Sequence, residues 1–315
     1  MTQTKRSPEF PGRFSHGDSG GACYDFNTGQ LYGVTNAYFQ QTTHPWEVKV
    51  TSVEFFRDWM KSIMGSQIGT FNNGSWWLDR DGSHTWDSPP DKPVTNFGGG
   101  LQPIVINSGA ITSTPNPRTS PSHIGAFYAP GPGNWYVDDN DNYAWDGAPP
   151  DKLYPTFGGA GDIPVSGAWG TIAKDNGIGV FRSGSWYQDM NLNGVWNGAP
   201  PDRFFASFGG GITPVTGSWT GVGTNIGAFD GTHWYLDMNG DGIWNGGDKT
   251  CTWGQVGDKP VVGDWNNDGV DEIGTYNSGS WWLDTDGDCS FTFGVDFAFS
   301  GFGQPTDTPV AGRWF

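Results

Sequence analysis

Hydrophobic positions along this chain fall in short runs, broken every few residues by Gly, Asn, Asp or Pro. Aromatic pairs such as Trp76-Trp77, Trp135-Tyr136 and Trp234-Tyr235 stand just ahead of acidic turns, as in the short strands of an all-β chain with many tight turns. Gln30-Leu31-Tyr32-Gly33-Val34-Thr35, after the turn Asn27-Thr28-Gly29, and Val48-Lys49-Val50-Thr51 read the same way. One stretch has another period. Between Val53 and Met64 the apolar residues Phe55, Phe56, Trp59, Met60 and Ile63 share one helical face, with Ser52 as N-cap and Gly65 as stop. The pattern predicts an all-β protein with one helix.

Beyond residue 65 the pattern repeats. An Ile-Gly pair followed by an aromatic recurs at Ile68-Gly69-Thr70-Phe71, Ile124-Gly125-Ala126-Phe127, Ile178-Gly179-Val180-Phe181, Ile226-Gly227-Ala228-Phe229 and Ile273-Gly274-Thr275-Tyr276. An aromatic pair, an acidic turn, a Phe-Gly or Trp-Gly, and a segment such as Pro214-Val215-Thr216-Gly217-Ser218-Trp219 follow. The later copies lie about 47 to 55 residues apart, the period of a four-stranded propeller blade. The first copy has no Pro-Val-x-Gly-x-Trp strand ahead of it, and Pro309-Val310-Ala311-Gly312-Arg313-Trp314 supplies one at the other end. We therefore expect a five-bladed β-propeller over 65–315, closed by the C-terminal strand so that no blade edge stays open. The Ser-, Thr- and Pro-rich insertion at 108–123 is expected as a surface loop of the second blade. Trp76, Trp135, Trp186, Trp234 and Trp281 recur in phase, as packing between blades requires; a carbohydrate-binding ring would carry repeated aromatics too.

Composition narrows the class. The chain has 315 residues, 51 Gly and 18 Trp, and a formal net charge of −17. Such a surface repels nucleic acid and anionic lipid and suits a secreted or cation-binding protein. There is no apolar run long enough for a membrane span, and Met1–Phe10 has no apolar core, so a secretory signal is expected on sequence outside this chain. Three cysteines are too few for a disulfide scaffold; Cys251 and Cys289 are the candidates for a pair.

The acidic turns carry the clearest chemistry. Oxygen-bearing residues stand at positions 1, 3, 5 and usually 9: Asp79, Asp81, Ser83 and Asp87; Asp138, Asn140, Asn142 and Asp146; Asp189, Asn191, Asn193 and Asn197; Asp237, Asn239, Asp241 and Asn245; Asp284, Asp286 and Asp288. Asp248 stands at position 12 of the fourth turn, and Asp91, Asp151 and Asp202 close the first three. Alternating oxygens suit Ca2+, a hard cation that takes six to eight of them. Asp, Asn and Gly also make hairpin turns by capping their own backbone. Asp264-Trp265-Asn266-Asn267-Asp268-Gly269-Val270-Asp271-Glu272 is a second loop type. It resembles the calcium loop of FG-GAP, VCBS and integrin-type propeller repeats. The resemblance implies Ca2+ ligands at Asp264, Asn266, Asp268, Asp271 and Glu272, with a structural role for the ion.

The N-terminal part carries a separate motif. Gly17-Asp18-Ser19-Gly20-Gly21 precedes an apolar strand, then Leu31 to Val34, then Val48 to Val53, then the helix. This order resembles the last strands and closing helix of chymotrypsin- and trypsin-like serine proteases. The resemblance implies Ser19 as nucleophile, the Gly17 and Ser19 N–H groups as oxyanion hole, and Asp18 as the acid that pairs with a new N-terminus on activation. It also puts Arg13, Asn36 and Tyr38 at substrate-binding positions. In that family the catalytic His and Asp precede the serine, and the 18 residues before Ser19 do not contain those segments. His16, on the same tight turn, is read as a loop residue rather than the base.

The chain is thus expected to comprise a lead (1–11), an incomplete trypsin-like barrel fragment with one C-terminal helix (12–64) and the propeller (65–315). The function expected is the C-terminal portion of a secreted serine endopeptidase acting on protein or peptide substrates. Its partner would be the missing N-terminal protease half, and this chain alone would be inactive. The alternative is a non-enzymatic, calcium-dependent or lectin-like propeller, binding glycan or matrix, with a vestigial protease stub.

Overall fold

The computed structural model describes residues 22–24, 31–39, 47–52, 65–107, 121–169 and 177–314. The chain divides into two compact units, Met1–Ile63 and Met64–Phe315. In the first, β1 (Ala22–Tyr24), β2 (Leu31–Phe39) and β3 (Glu47–Ser52) form an antiparallel meander in that order. A register shift between Thr35 and Ala37 makes a bulge at Asn36, and Tyr38 pairs with Val48. The expected helix over 53–64 and the loop bearing Ser19 lie outside the described residues. Among the described residues no helix is long and apolar enough to cross a membrane.

The second unit holds five four-stranded antiparallel sheets among its described residues, arranged as a five-bladed β-propeller. Blade 2 is β7 (Gln102–Asn107), β8 (Ser122–Tyr128), β9 (Asn134–Val137) and β10 (Lys152–Tyr154). Blade 3 is β11 (Ile163–Gly167), β12 (Gly177–Arg182), β13 (Ser185–Gln188) and β14 (Arg203–Phe205). Blade 4 is β15 (Thr213–Gly217), β16 (Asn225–Phe229), β17 (His233–Leu236) and β18 (Lys249–Thr252). Blade 5 is β19 (Lys259–Gly263), β20 (Glu272–Asn277), β21 (Ser280–Leu283) and β22 (Phe297–Ser300). Blade 1 is completed from both ends: β23 (Thr308–Gly312) pairs with β4 (Gln67–Asn72), followed by β5 (Ser75–Leu78) and β6 (Lys92–Val94). Thr308 faces Phe71 and Gly312 faces Gln67 in this closing ladder. The inner strands β7, β11, β15, β19 and β23 neighbour one another in a closed circle.

The repeat is explained by packing between blades. Each of the five apolar clusters draws on two consecutive blades; one joins Phe127, Trp135 and Val137 of blade 2 to Ile178 and Val180 of blade 3. The third strand of each blade alternates half-buried and buried positions, so its first Trp points inward. Trp76, Trp135, Trp186, Trp234 and Trp281 are all fully buried. Their indole N–H groups donate to the carbonyls of Phe97, Phe157, Phe208, Trp253 and Phe302, so the Phe-Gly or Trp-Gly step of each repeat is the acceptor that burial of Trp demands. The glycine of Pro-Val-x-Gly-x-Trp is explained by the same close fit. A Cβ on Gly263 would lie 2.8 Å from the Trp265 ring, which folds back over it.

The insertion ends earlier than its composition implies, because Ser122 and His123 belong to β8. Residues 108–120 of that segment lie outside the described residues. A disulfide joins Cys251 of β18 to Cys289 in blade 5, tying blades 4 and 5 across a sequence separation of 38.

Candidate metal centres

Each acidic turn connects the third strand of its blade to the outermost one, and the 264–272 loop connects β19 to β20. Antiparallel alternation puts first-to-second and third-to-fourth connections at the same end of a blade. The acidic turns therefore share one end of the ring. The two loops of blade 5 touch there, where the Asn266 amide donates to the Thr285 carbonyl at 2.9 Å.

Two acids shape every turn, both buried except Asp248 of blade 4, which is half-buried. The first is Asp79, Asp138, Asp189, Asp237 or Asp284. Its carboxylate accepts backbone N–H groups from within the turn. Asp79 takes those of Gly82, Ser83 and His84 at 2.8, 3.2 and 2.9 Å, and Asp237 those of Gly240 and Gly242 at 2.7 and 2.9 Å. The second acid braces the far side. Asp91 accepts from Arg80 and Asp87, Asp202 from Met190 and Asn197, Asp248 from Met238 and Asn245, Asp296 from Thr285 and Thr292, and Asp151 from Asp146. Self-capping is thus present in every turn. A carboxylate has about four acceptor sites, so two or three N–H partners leave capacity for a cation.

In two turns the carboxylates converge. Asp79, Asp81 and Asp91 each offer an oxygen within 4.8 Å of the others, and so do Asp284, Asp286 and Asp296. The outer two of each set are buried and the middle one is exposed. Burial, with Asp91 and Asp81 nearby, pushes the Asp79 carboxyl up to about 7. Burial, with Asp296, Asp286 and Asp288 nearby, pushes Asp284 up to about 6. Asp284 Oδ1 is buried with no hydrogen-bond partner among the described residues. Clustered acids of this kind are costly to ionise together, and a divalent cation relieves the cost.

The other turns converge through amides. In blade 2, Asn140 and Asn142 both direct Nδ2 at Asp146 Oδ2. In blade 3, Asn193 Nδ2 meets Asn197 Oδ1 at 2.7 Å. In blade 4, Asn239 and Asn245 direct Nδ2 at Asp241 Oδ2 at 3.1 and 2.9 Å. Positions 3, 5 and 9 thus meet in the turn centre. Burial also pushes Asp138 up to about 6 and raises Asp189 and Asp237.

In the 264–272 loop, Asp264 accepts the N–H groups of Asp268 and Gly269, and Asn266 Oδ1 also accepts that of Asp268. Asp271 Oδ2 instead takes the Ser218 N–H of blade 4 at 2.7 Å, a link between blades. Glu272 Oε2 accepts the Trp265 N–H, and burial, with Asp264, Asp268 and Asp271 nearby, pushes Glu272 up to about 9. Asp288 sits beside the blade 5 triad with Oδ1 on the Ser290 N–H.

Asp296 was not among the sequence candidates. Its signal was available, since an acid closes each of the other four turns at nearly the same distance from the first Asp. Of the protease-like positions, Asn36 and Tyr38 lie on β2, described by its backbone, and Arg13, Gly17, Asp18 and Ser19 lie outside the described residues. Comparison with protein-family models, curated proteins and solved structures gives no match.

Proposed function

We propose that residues 64–315 form a calcium-stapled β-propeller, a rigid binding module whose ions are structural. The observation that carries this reading is the convergence of Asp79, Asp81 and Asp91, and of Asp284, Asp286 and Asp296, within 4.8 Å at one end of the ring. Carboxylates at alternate positions, with turn carbonyls and water completing the shell, match the oxygen-rich and irregular coordination of Ca2+ better than the strict octahedron of Mg2+. The ions would pin turns in a Gly-rich chain that loses much backbone entropy on folding. Thermal melting in millimolar Ca2+ and in chelator tests this. Each site occupied at 100 times its Kd adds about 2.7 kcal/mol, so the melt is expected to rise in Ca2+. Asp91→Asn with Asp296→Asn is expected to remove most of that rise. Equal melts in Ca2+ and chelator contradict the reading.

A second reading attaches to residues 12–64. It is favoured by the antiparallel order β1-β2-β3 directly after the Gly-Asp-Ser-Gly-Gly motif. On this reading the segment derives from a trypsin-like serine endopeptidase whose base and orienting acid lie elsewhere. A fluorophosphonate probe is expected to leave Ser19 of this chain unlabelled, and labelling at Ser19 would show a complete catalytic apparatus.

A further inference from the structure

One blade breaks the repeat in a way that makes a pocket. In blades 1, 3 and 5, the residue after the second-strand aromatic donates to an Asp just ahead of the inner strand. Asn72 donates to Asp307 at 2.9 Å and Asn277 to Asp258 at 2.9 Å, while Arg182 holds Asp162 with two bonds of 2.6 and 2.8 Å. In blade 4 these two positions are Asp230 and Ile212. The carboxylate has moved to the hairpin side, and the position of its usual partner is apolar. Blade 2 has Tyr128 and Leu101 there, with no carboxylate at either position.

A cavity of about 270 Å³ opens at this break, lined by Ser207, Phe208, Ile212, Asp230, Tyr235 and Trp244. Its aromatic wall is a corner. Trp244, 47% exposed, stands edge-on to Tyr235 at 5.5 Å with 80° between the planes, and to Phe208 at 6.2 Å with 61°. Asp230 is fixed in place. Oδ1 accepts the N–H groups of Thr232 and His233 and the Thr232 hydroxyl, and Oδ2 accepts the Tyr235 hydroxyl at 3.1 Å, with His233 Nδ1 3.3 Å away. The His233 N–H and the Thr232 and Tyr235 donors hold this carboxyl below the usual range.

The geometry points to an organic ammonium group as the ligand of this pocket, with Asp230 as counter-ion and Trp244 and Tyr235 as π faces. Perpendicular aromatic rings beside an ionised carboxylate offer a cation both ring-quadrupole and Coulomb attraction. The net charge of −17 draws cations to the surface. A neutral sugar would use the ring faces and could donate hydroxyls to Asp230, but it brings no positive charge for the carboxylate and ring quadrupoles to attract.

The test compares probes on the full chain by tryptophan fluorescence and calorimetry. Choline and Nε-trimethyllysine are set against 3,3-dimethylbutanol, the neutral isostere of choline, and a methyl glucoside. An ammonium is expected to bind at least tenfold more tightly than the neutral isostere; which ammonium is preferred identifies the source, small molecule or protein side chain. Asp230→Asn, which keeps an acceptor for the hairpin N–H groups, is expected to weaken ammonium binding at least tenfold, and Trp244→Leu to abolish it. The isostere comparison needs no variant and stands if either one fails to fold. Equal binding of the isostere, binding of the glucoside alone, or binding of none of the probes overturns the proposal.

Discussion

A chain lacking residues 308–315 is expected to lose cooperative unfolding of the ring. β23 is the inner strand of blade 1, and its removal strips β4 of the ladder from Gln67 to Phe71. It also removes Val310 and Trp314 from the cluster between blades 1 and 2. Trp314 is bound at two points, its backbone N–H to Gln67 Oε1 at 2.8 Å and its indole to the Ile68 carbonyl at 3.0 Å. The Arg313 N–H reaches Ser122 Oγ in blade 2 at 2.9 Å, so the loss spreads to the neighbouring blade. One buried Trp alone contributes about 3–5 kcal/mol, and a whole domain is stable by only about 5–15 kcal/mol. The truncated chain is expected to melt broadly and bind a hydrophobic dye, whereas truncation of an accessory tail would leave a sharp transition. Circular dichroism and dye fluorescence during a melt separate the two outcomes.

Trp281→Ala is expected to destabilise the propeller by about 3–5 kcal/mol. The ring is fully buried between blades 5 and 1, packed on Tyr276 at 4.8 Å and stacked on Phe299 at 6.2 Å. Its loss leaves a cavity and deprives the Phe302 carbonyl of a 2.8 Å hydrogen bond. Trp86→Ala is the contrast. Trp86 is 39% exposed at the acidic end, and its truncation is expected to cost under about 1 kcal/mol. Urea unfolding of the two variants measures both values. Equal costs would mean that the recurring strand tryptophans do not carry the packing between blades.

The blade pattern was legible because it rests on local demands repeated five times. Ile-Gly-x-aromatic makes a tight second strand, Pro-Val-x-Gly-x-Trp makes an inner strand whose glycine admits the following Trp, and the orphan copy at Pro309–Trp314 revealed closure. The metal candidates were legible as spacing, but spacing could not rank them. Every turn has a closing acid, and the turns that bring three carboxylates together are the two with Asp rather than Asn at position 3, Asp81 and Asp286. The closing acid of the second, Asp296, stands beyond a stretch holding Phe291 and Phe293 that hid it. Cys251 and Cys289 could be named as candidates but not placed, because their proximity arises only when blade 5 packs against blade 4. The exchange of Asp230 and Ile212 was invisible for a related reason. Each reads as an ordinary substitution until the fold brings the two positions to one cavity.

The most direct measurement is diffraction from crystals grown with Ca2+, collected where calcium scatters anomalously. Anomalous peaks are expected among Asp79, Asp81 and Asp91 and among Asp284, Asp286 and Asp296, each ringed by oxygens at about 2.3–2.6 Å. Turns closed only by their own backbone hydrogen bonds, with no anomalous peak at either triad, would contradict the calcium reading.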